Sequence, residues 1–204
     1  MSGVFRKLCY IVFAISGMTA LIYELVWVRQ LQLVLGSSNY AVSLMLTAVM
    51  SGFALGSYLF RNISGRSKNP LMLFSWIQFA IGAYALLGII TLNQMSSTLI
   101  SLLGSHNLKF MQFIISFSFL IIPTTLFGAT WPVITQACAR QNSIGKDAAK
   151  LYSFNSLGSM LGALGAGFIL LPWLGISKTI VIASGLNLLL ALATHTYAKA
   201  EVRQ

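Results

Sequence analysis

Residues 8–28, LCYIVFAISGMTALIYELVWV, form an apolar run whose only charged side chain is Glu24. A helix of about 20 apolar residues is long enough to cross the roughly 30 Å hydrocarbon core of a bilayer. The apolar pattern extends to residue 35 before Gly36 breaks it, and further runs follow at 40–60, 71–91, 110–136, 151–173 and 179–197. The pattern predicts an all-α polytopic membrane protein, a bundle of six transmembrane helices forming one membrane domain over residues 1–204.

The composition agrees with this class of protein. Apolar residues make up 57% of the chain and charged residues only 8%, whereas a soluble domain carries about a quarter charged residues. The 13 Lys and Arg residues outnumber the 3 Asp and Glu residues, which gives a net charge of +10. Such an excess can indicate nucleic-acid binding, but membrane topology accounts better for where the basic residues fall. No nucleic-acid partner is expected.

The basic residues concentrate in alternate loops of the predicted bundle. With the N-terminus inside, ten of the 13 lie on the inner side, namely Arg6, Lys7, Arg61, Arg66, Lys68, Arg140, Lys146, Lys150, Lys199 and Arg203. The outer side keeps Arg29, Lys109 and Lys178. Cytoplasmic loops of membrane proteins carry such an excess of Lys and Arg. We therefore predict a multi-pass protein of the cytoplasmic (inner) membrane with both termini in the cytoplasm.

Glu24 is the side chain of the first run that is hardest to place in a membrane. An intramembrane carboxylate is costly unless it is paired or faces a cavity, so such residues are usually functional. Tyr23 and Trp27 flank Glu24 at helical spacing, and a carboxylate beside aromatic rings suits an organic cation. Alternatively, Glu24 pairs with a buried polar group on another helix. Arg29, five positions on, is poorly placed to pair with Glu24 and is assigned to the outer face.

Glycine pairs and prolines mark helices that are expected to pack closely or to bend. Small residues four apart let another helix backbone approach, either within the chain or in a homo-oligomer. Proline removes a backbone donor, so kinks are expected where it lies inside a helix. The glycines are Gly52 and Gly56 in the second run and Gly158 and Gly162 in the fifth, and the prolines are Pro123 and Pro132 in the fourth.

The outer connection at residues 93–109 is longer than a simple turn. Met95, Leu99 and Leu102 recur in it at helical spacing and are opposed by serines. This spacing is typical of a short helix at the membrane interface, and an ordinary loop is the alternative.

No cofactor and no metal site is predicted. Cys9 and Cys138 lie near the predicted inner ends of two runs, where a cytoplasmic location disfavours a disulfide. His106 and His195 have no carboxylate or thiol near them in the sequence, as a metal site would require. The chain offers no Ser–His–acid set and no pair of intramembrane acids for acid–base chemistry. Enzymatic activity is therefore the least supported class of function.

The first three runs and the last three share a pattern. Glu24-Leu-Val-Trp27 in the first run corresponds to Gly128-Ala-Thr-Trp131 in the fourth, and the second and fifth runs carry the glycine pairs. This 3+3 inverted repetition resembles half of a major facilitator transporter. The turn after the second run, Gly56-Ser-Tyr-Leu-Phe-Arg61, resembles the basic loop signature of that superfamily, although Phe60 stands where an aspartate is expected.

A second resemblance covers most of the chain. It rests on Ile22-Tyr-Glu-Leu-Val-Trp-Val-Arg29, on Gly128-Ala-Thr-Trp-Pro132 and on the small-residue stretch at 151–167. In this order the three stretches resemble the membrane domain of the membrane-bound spermidine synthase-like proteins. That family often continues into a cytoplasmic aminopropyltransferase domain, but residues 1–204 contain no strand–glycine loop–helix unit of that kind. The resemblance therefore implies a membrane role without the enzymatic activity.

Two function hypotheses follow. The first is a half-size transporter-like protein that binds or moves a small cationic solute such as a polyamine, completed by a second copy or a partner protein. The second is a non-catalytic membrane subunit that docks a soluble aminopropyltransferase-like enzyme at its basic inner face. A structural hydrogen bond to the first or fourth run is the alternative for Asn155. The candidate substrate-binding residues are Glu24, Tyr23, Trp27, Trp131 and Asn155.

Overall fold

The computed structural model describes residues 3–35, 39–101, 108–138 and 144–202, with side-chain environments over 5–33, 39–89, 113–138 and 145–200. Within these ranges the chain is helical apart from a turn at 67–69, which confirms the predicted all-α class. The helices are α1 (Gly3–Leu35), α2 (Asn39–Arg66), α3 (Pro70–Ser101), α4 (Leu108–Cys138), α5 (Ile144–Gly165) and α6 (Leu171–Val202), and a π-helical turn (Ala166–Leu170) joins the last two.

Five helical segments of the described chain are long and apolar enough to cross a membrane, as expected for an integral membrane protein. Four of them lie within α1 to α4. The fifth runs for 56 residues, Gly145–Ala200, and contains both the fifth and the sixth predicted runs. Its backbone leaves the helical conformation at Gly175, where φ is 74° and ψ is 178°. Because a side chain would clash in this conformation, glycine is required at the break.

The outer connection differs from its prediction. α3 continues beyond residue 91 to Ser101 without a break, so the expectation of a separate helix or loop from residue 93 is wrong for 93–101. The reason is local, because residues 92–101 contain neither the glycine nor the proline that would end a helix. The remainder of the predicted connection, 102–107 with His106, lies outside the described residues.

The helices pack in a small set of pairs. α2 packs against α4, α1 against α5 and α3 against α6, with further contacts between α3 and α4 and between α1 and α6. Glycines make the α2–α4 and α1–α5 approaches possible, since a Cβ atom at any of four positions would overlap the facing helix. The overlaps pair Gly52 with Thr124, Gly56 with Thr125, Gly158 with Ala14 and Gly162 with Met18.

One proline of α4 is compensated by a neighbouring helix. α4 runs continuously through Pro123, whose ring nitrogen cannot donate to the carbonyl oxygen of Phe119 one turn earlier. The Tyr84 hydroxyl of α3 donates to this carbonyl oxygen at 2.8 Å. The unused backbone acceptor thereby becomes an interhelical contact, which suits a medium without water.

Two contacts bring helix ends together at one end of the bundle. The ring of Phe5 stacks on that of Tyr197 at 5.4 Å, which joins the start of α1 to the end of α6. Asn69 Nδ2 in the α2–α3 turn donates to the Ala198 carbonyl oxygen at 3.3 Å. We call this the basic end, because the cations of these helix ends and of the neighbouring α5 start gather there. They are Arg6, Lys7, Arg61, Arg66, Lys68, Lys146, Lys150 and Lys199.

Cys9 and Cys138 are joined by a disulfide at the basic end, with Cα atoms 6.3 Å apart. The prediction that they stay unpaired is wrong for this structure. It rested on the redox state of the expected compartment. A sequence separation of 129 residues hides the fact that the start of α1 and the end of α4 lie side by side.

Candidate functional site

A cavity of about 320 Å³ lies between α1, α2, α4 and α5. Small-molecule sites commonly measure about 300–1,000 Å³, so the cavity suits a small solute. Its lining combines aromatic rings with uncharged polar groups, and none of these described residues carries a formal charge. The lining consists of Phe13, Ser16, Gly17, Ala20, Leu21, Phe53, Ser57, Phe127, Gly128, Thr130, Trp131, Tyr152, Asn155 and Ser159.

Three helices contribute an aromatic cluster to this cavity. The Trp131 ring of α4 lies 5.6 Å from the Phe13 ring of α1 and 5.9 Å from the Tyr152 ring of α5, between centroids. Phe13 is buried, whereas Tyr152 is 63% exposed, so the aromatic cluster extends from the core to the surface of the bundle. Aromatic faces carry negative potential and attract cations.

The α1–α5 wall brings neutral oxygens to the cavity. At Gly17 a Cβ atom would come within 2.5 Å of both the carbonyl and the amide oxygen of Asn155, so glycine is what admits Asn155 here. The Ser159 hydroxyl donates to the Gly17 carbonyl oxygen at 3.1 Å. The amide of Asn155 therefore lies against α1 as part of the cavity wall.

The α2–α4 wall contains a second backbone carbonyl left free by proline. Pro132 cannot donate to the Gly128 carbonyl oxygen one turn earlier. The Ser57 hydroxyl of α2 donates to this oxygen at 3.1 Å. A carbonyl oxygen can accept two hydrogen bonds, so a bound donor could share it with Ser57.

Glu24 lies next to the cavity rather than in its lining. It follows Ala20 by one helical turn, on the same face of α1, and its side chain is half-buried. Within the described part of the chain, its carboxylate forms no hydrogen bond and no ion pair. Arg29 is exposed further along the same helix, away from the basic end.

Tyr23 and Trp27 point into the core instead of toward the cavity. Their rings stack at 5.4 Å, and the side chains are 0% and 3% exposed. The Tyr23 hydroxyl donates to Ser184 Oγ of α6 at 3.1 Å. The structure thus brings Trp131 and Asn155 together in the cavity lining. Tyr23 and Trp27 do not belong to that lining, although the Tyr23 ring lies 6.0 Å from the ring of the lining residue Phe127.

Comparisons with known proteins found no match. No protein-family model matches the chain, and neither a curated protein nor a solved structure is significantly similar to it. The family resemblances drawn from short stretches of sequence therefore stay predictions.

Sequence reasoning missed several cavity residues. Ser57 follows a glycine of the α2 stripe, and its position beside that stripe was a usable signal. Phe13 and Thr130 carry no such signal, because phenylalanine and threonine recur on every side of these helices. Only the packing of α1 on α4 and α5 distinguishes them from the phenylalanines and threonines elsewhere in the chain.

Proposed function

We propose that this chain is a half-size, transporter-like membrane protein that binds a small organic cation of the polyamine class between α1, α2, α4 and α5. The observation that carries the proposal is a cavity of aromatic rings and neutral oxygens at the meeting of these four helices. Cation–π attraction contributes about 0.5–2 kcal/mol per contact. Carbonyl and hydroxyl oxygens accept the hydrogen bonds of an ammonium group.

Glu24 makes the polyamine class a better fit than a compact monovalent cation. It lies one helical turn, about 6 Å along α1, beyond the cavity residue Ala20. A polyamine carries ammonium groups separated by short methylene chains. An ammonium group at the Ala20 end of the cavity would lie within reach of the Glu24 carboxylate. The rest of the polyamine would then extend toward the aromatic cluster at Phe13, about 16 Å from Glu24 along α1.

We infer six membrane crossings from the length of the last apolar segment. As a straight helix its 56 residues would extend about 84 Å, far beyond the roughly 30 Å hydrocarbon core. The break at Gly175 offers a point at which the segment divides. The two parts also have different partners, α5 packing on α1 and α6 on α3.

The packing pattern supports the 3+3 repeat. Exchanging α1 with α4, α2 with α5 and α3 with α6 converts the α2–α4 contact into α5–α1 and the α3–α4 contact into α6–α1. The α3–α6 contact is converted into itself. Such symmetry is typical of repeats within transporters. A complete pathway would then require a second copy of the chain or a partner protein facing the cavity.

Spermidine binding to the purified protein tests the proposal. We expect saturable binding by calorimetry and a loss of about tenfold in affinity for Trp131→Leu, which corresponds to about 1.4 kcal/mol. Trp173→Leu is the matched control, because Trp173 is 84% exposed and does not line the cavity. Absence of spermidine binding would refute the function, and equal affinities for the two variants would refute the site.

The basic end favours a second candidate function, the docking of a soluble aminopropyltransferase-like enzyme. Exposed cations from several helix ends meet there, and an acidic protein surface would complement them. The test is co-purification with a soluble aminopropyltransferase of the same cell at low and high salt. Docking would be supported if the complex forms at low salt with the unmodified protein and does not form with the double variant Lys146→Gln plus Lys150→Gln. No complex at low salt would reject it.

A further inference from the structure

A groove of about 450 Å³ lies on the α3–α6 pair, separate from the cavity described above. Trp76 and Phe79 of α3 and Leu188 and Leu192 of α6 form its apolar walls, and Ser75 and His195 are its polar residues. Trp76, Phe79 and Leu192 are exposed, so this surface faces the surrounding medium. In a membrane protein that medium is hydrocarbon, and an apolar groove there fits an alkyl chain.

The polar residues of the groove lie toward the basic end. His195 precedes the end of α6 at Val202 by seven positions, about 10 Å along the helix. Leu188 lies a further seven positions away from that end, at greater depth. Ser75 Oγ and His195 Nδ1 are 3.4 Å apart, within hydrogen-bond distance. The groove therefore changes from apolar to polar in the same direction as a lipid does from its chain to its head group.

Two cations lie near the polar end of the groove. Lys199 is exposed one helical turn beyond His195, on the same face of α6. The hydrogen bond from Asn69 to the Ala198 carbonyl oxygen holds the α2–α3 turn against this part of α6. Lys68, next to Asn69, is also exposed. Positive charge therefore gathers where a phosphate group would lie.

We propose that the α3–α6 groove is a binding site for one anionic phospholipid. An acyl chain lies along Phe79, Leu188 and Leu192, and the phosphate is held by His195 and Lys199. Charge complementarity selects an anionic lipid over a zwitterionic one with the same chains, because basic side chains near the surface attract net negative head groups. This binding is independent of any solute in the cavity between α1, α2, α4 and α5.

Native mass spectrometry of the delipidated protein tests the site. We expect dioleoyl phosphatidylglycerol to bind about fivefold more tightly than dioleoyl phosphatidylcholine. Lys199→Gln should remove this preference, and Lys199→Arg should retain it. Lys178→Gln is the matched control, since Lys178 is an exposed cation of the same helix near its opposite end.

A groove-filling variant separates the apolar part of the site from the charged part. Leu192 is 61% exposed, so the larger side chain of Leu192→Trp should fill the groove without disturbing the core. We then expect that neither lipid binds to this variant as one molecule per protein. A melting curve of each variant serves as the control for folding. Equal affinities for the two lipids would overturn the proposal. It would also be overturned if Lys199→Gln behaved like Lys178→Gln, or if Leu192→Trp bound lipid as the unmodified protein does.

Discussion

Glu24 lies inside the first apolar segment, Phe5–Leu33, yet the described residues provide no partner for its carboxylate. A buried carboxylate held in a structural ion pair would have a cation within a few ångströms. Removing the carboxylate charge would leave that cation buried without a partner, which costs about 3–5 kcal/mol of folding stability. A carboxylate beside a cavity has a different role, because its partner arrives with the ligand. The position one turn beyond Ala20 favours this second role.

Glu24→Gln distinguishes the two roles. The substitution keeps size and hydrogen-bonding capacity but removes the charge, so we expect an unchanged melting temperature together with weaker spermidine binding. The measurement is a melting curve beside a calorimetric titration, with Arg29→Gln as a control for a charge change on the same helix. A joint loss of stability and binding would identify a structural ion pair instead. Unchanged binding would remove Glu24 from the site.

At the scale of helices, glycines determine how closely two elements approach. α5 contains a matched pair for testing this, because a Cβ atom at Gly162 would overlap the Met18 carbonyl oxygen of α1, whereas one at Gly165 would meet nothing within 4 Å. The two positions share one helix and differ in what faces them.

The two Gly→Ala variants should therefore change stability in opposite directions. Gly162→Ala must push α1 and α5 apart, and overpacking of this kind costs about 1–3 kcal/mol. Gly165→Ala meets no obstacle and gains helix propensity, up to about 1 kcal/mol. Denaturation of the two purified variants measures the difference. Similar stabilities would show that the α1–α5 approach does not depend on Gly162.

Proline in α4 generates a test at the same scale. Pro123 leaves the Phe119 carbonyl oxygen to the Tyr84 hydroxyl. We expect Tyr84→Phe to cost about 1 kcal/mol, since it strands a carbonyl in a medium without water. In a Pro123→Ala background the helix satisfies this carbonyl itself, so the same substitution should cost less. A double-mutant cycle on the free energy of unfolding measures the coupling, and a coupling near zero would contradict the compensation.

At the scale of the whole molecule, the basic end links fold and orientation. The excess of Lys and Arg predicts that this end is cytoplasmic, a reducing compartment. The adjacency of Cys9 and Cys138 there, with Cα atoms 6.3 Å apart, is a property of the fold and does not depend on the compartment.

Two measurements on membranes check fold and orientation separately. After reduction of the protein, mild oxidation should rejoin Cys9 to Cys138 and speed migration in non-reducing electrophoresis relative to the reduced protein, and Cys9→Ser should abolish the shift. A reporter fused after Gln204 should be active on the cytoplasmic side. No shift in the unmodified protein would show that the ends of α1 and α4 lie apart. A reporter located outside the cell would show that the orientation is the opposite of the predicted one, and it would not contradict the fold.

The class of this protein and the approximate positions of its apolar helices could be predicted from the sequence. Apolar runs long enough to cross a bilayer are local properties of the chain, and no soluble surface can be built from 8% charged residues. The extent of α1 to Leu35 and the glycine pairs are also visible in the sequence. The break at Gly175 lies in the predicted connection between the fifth and sixth runs, whereas the continuation of α3 through residues 92–101 was not predicted.

Which side of each helix meets which neighbour could be seen only in the folded molecule. Membrane helices are apolar on every side, so the spacing of apolar residues does not distinguish a buried face from an exposed one. Tyr23 and Trp27 therefore looked equivalent to Trp131 as ligand-binding aromatics, yet packing sends the first two into the core and the third to the cavity. The pairing of Cys9 with Cys138 was hidden for the same reason, because contacts between helices depend on faces and ends that meet only after folding.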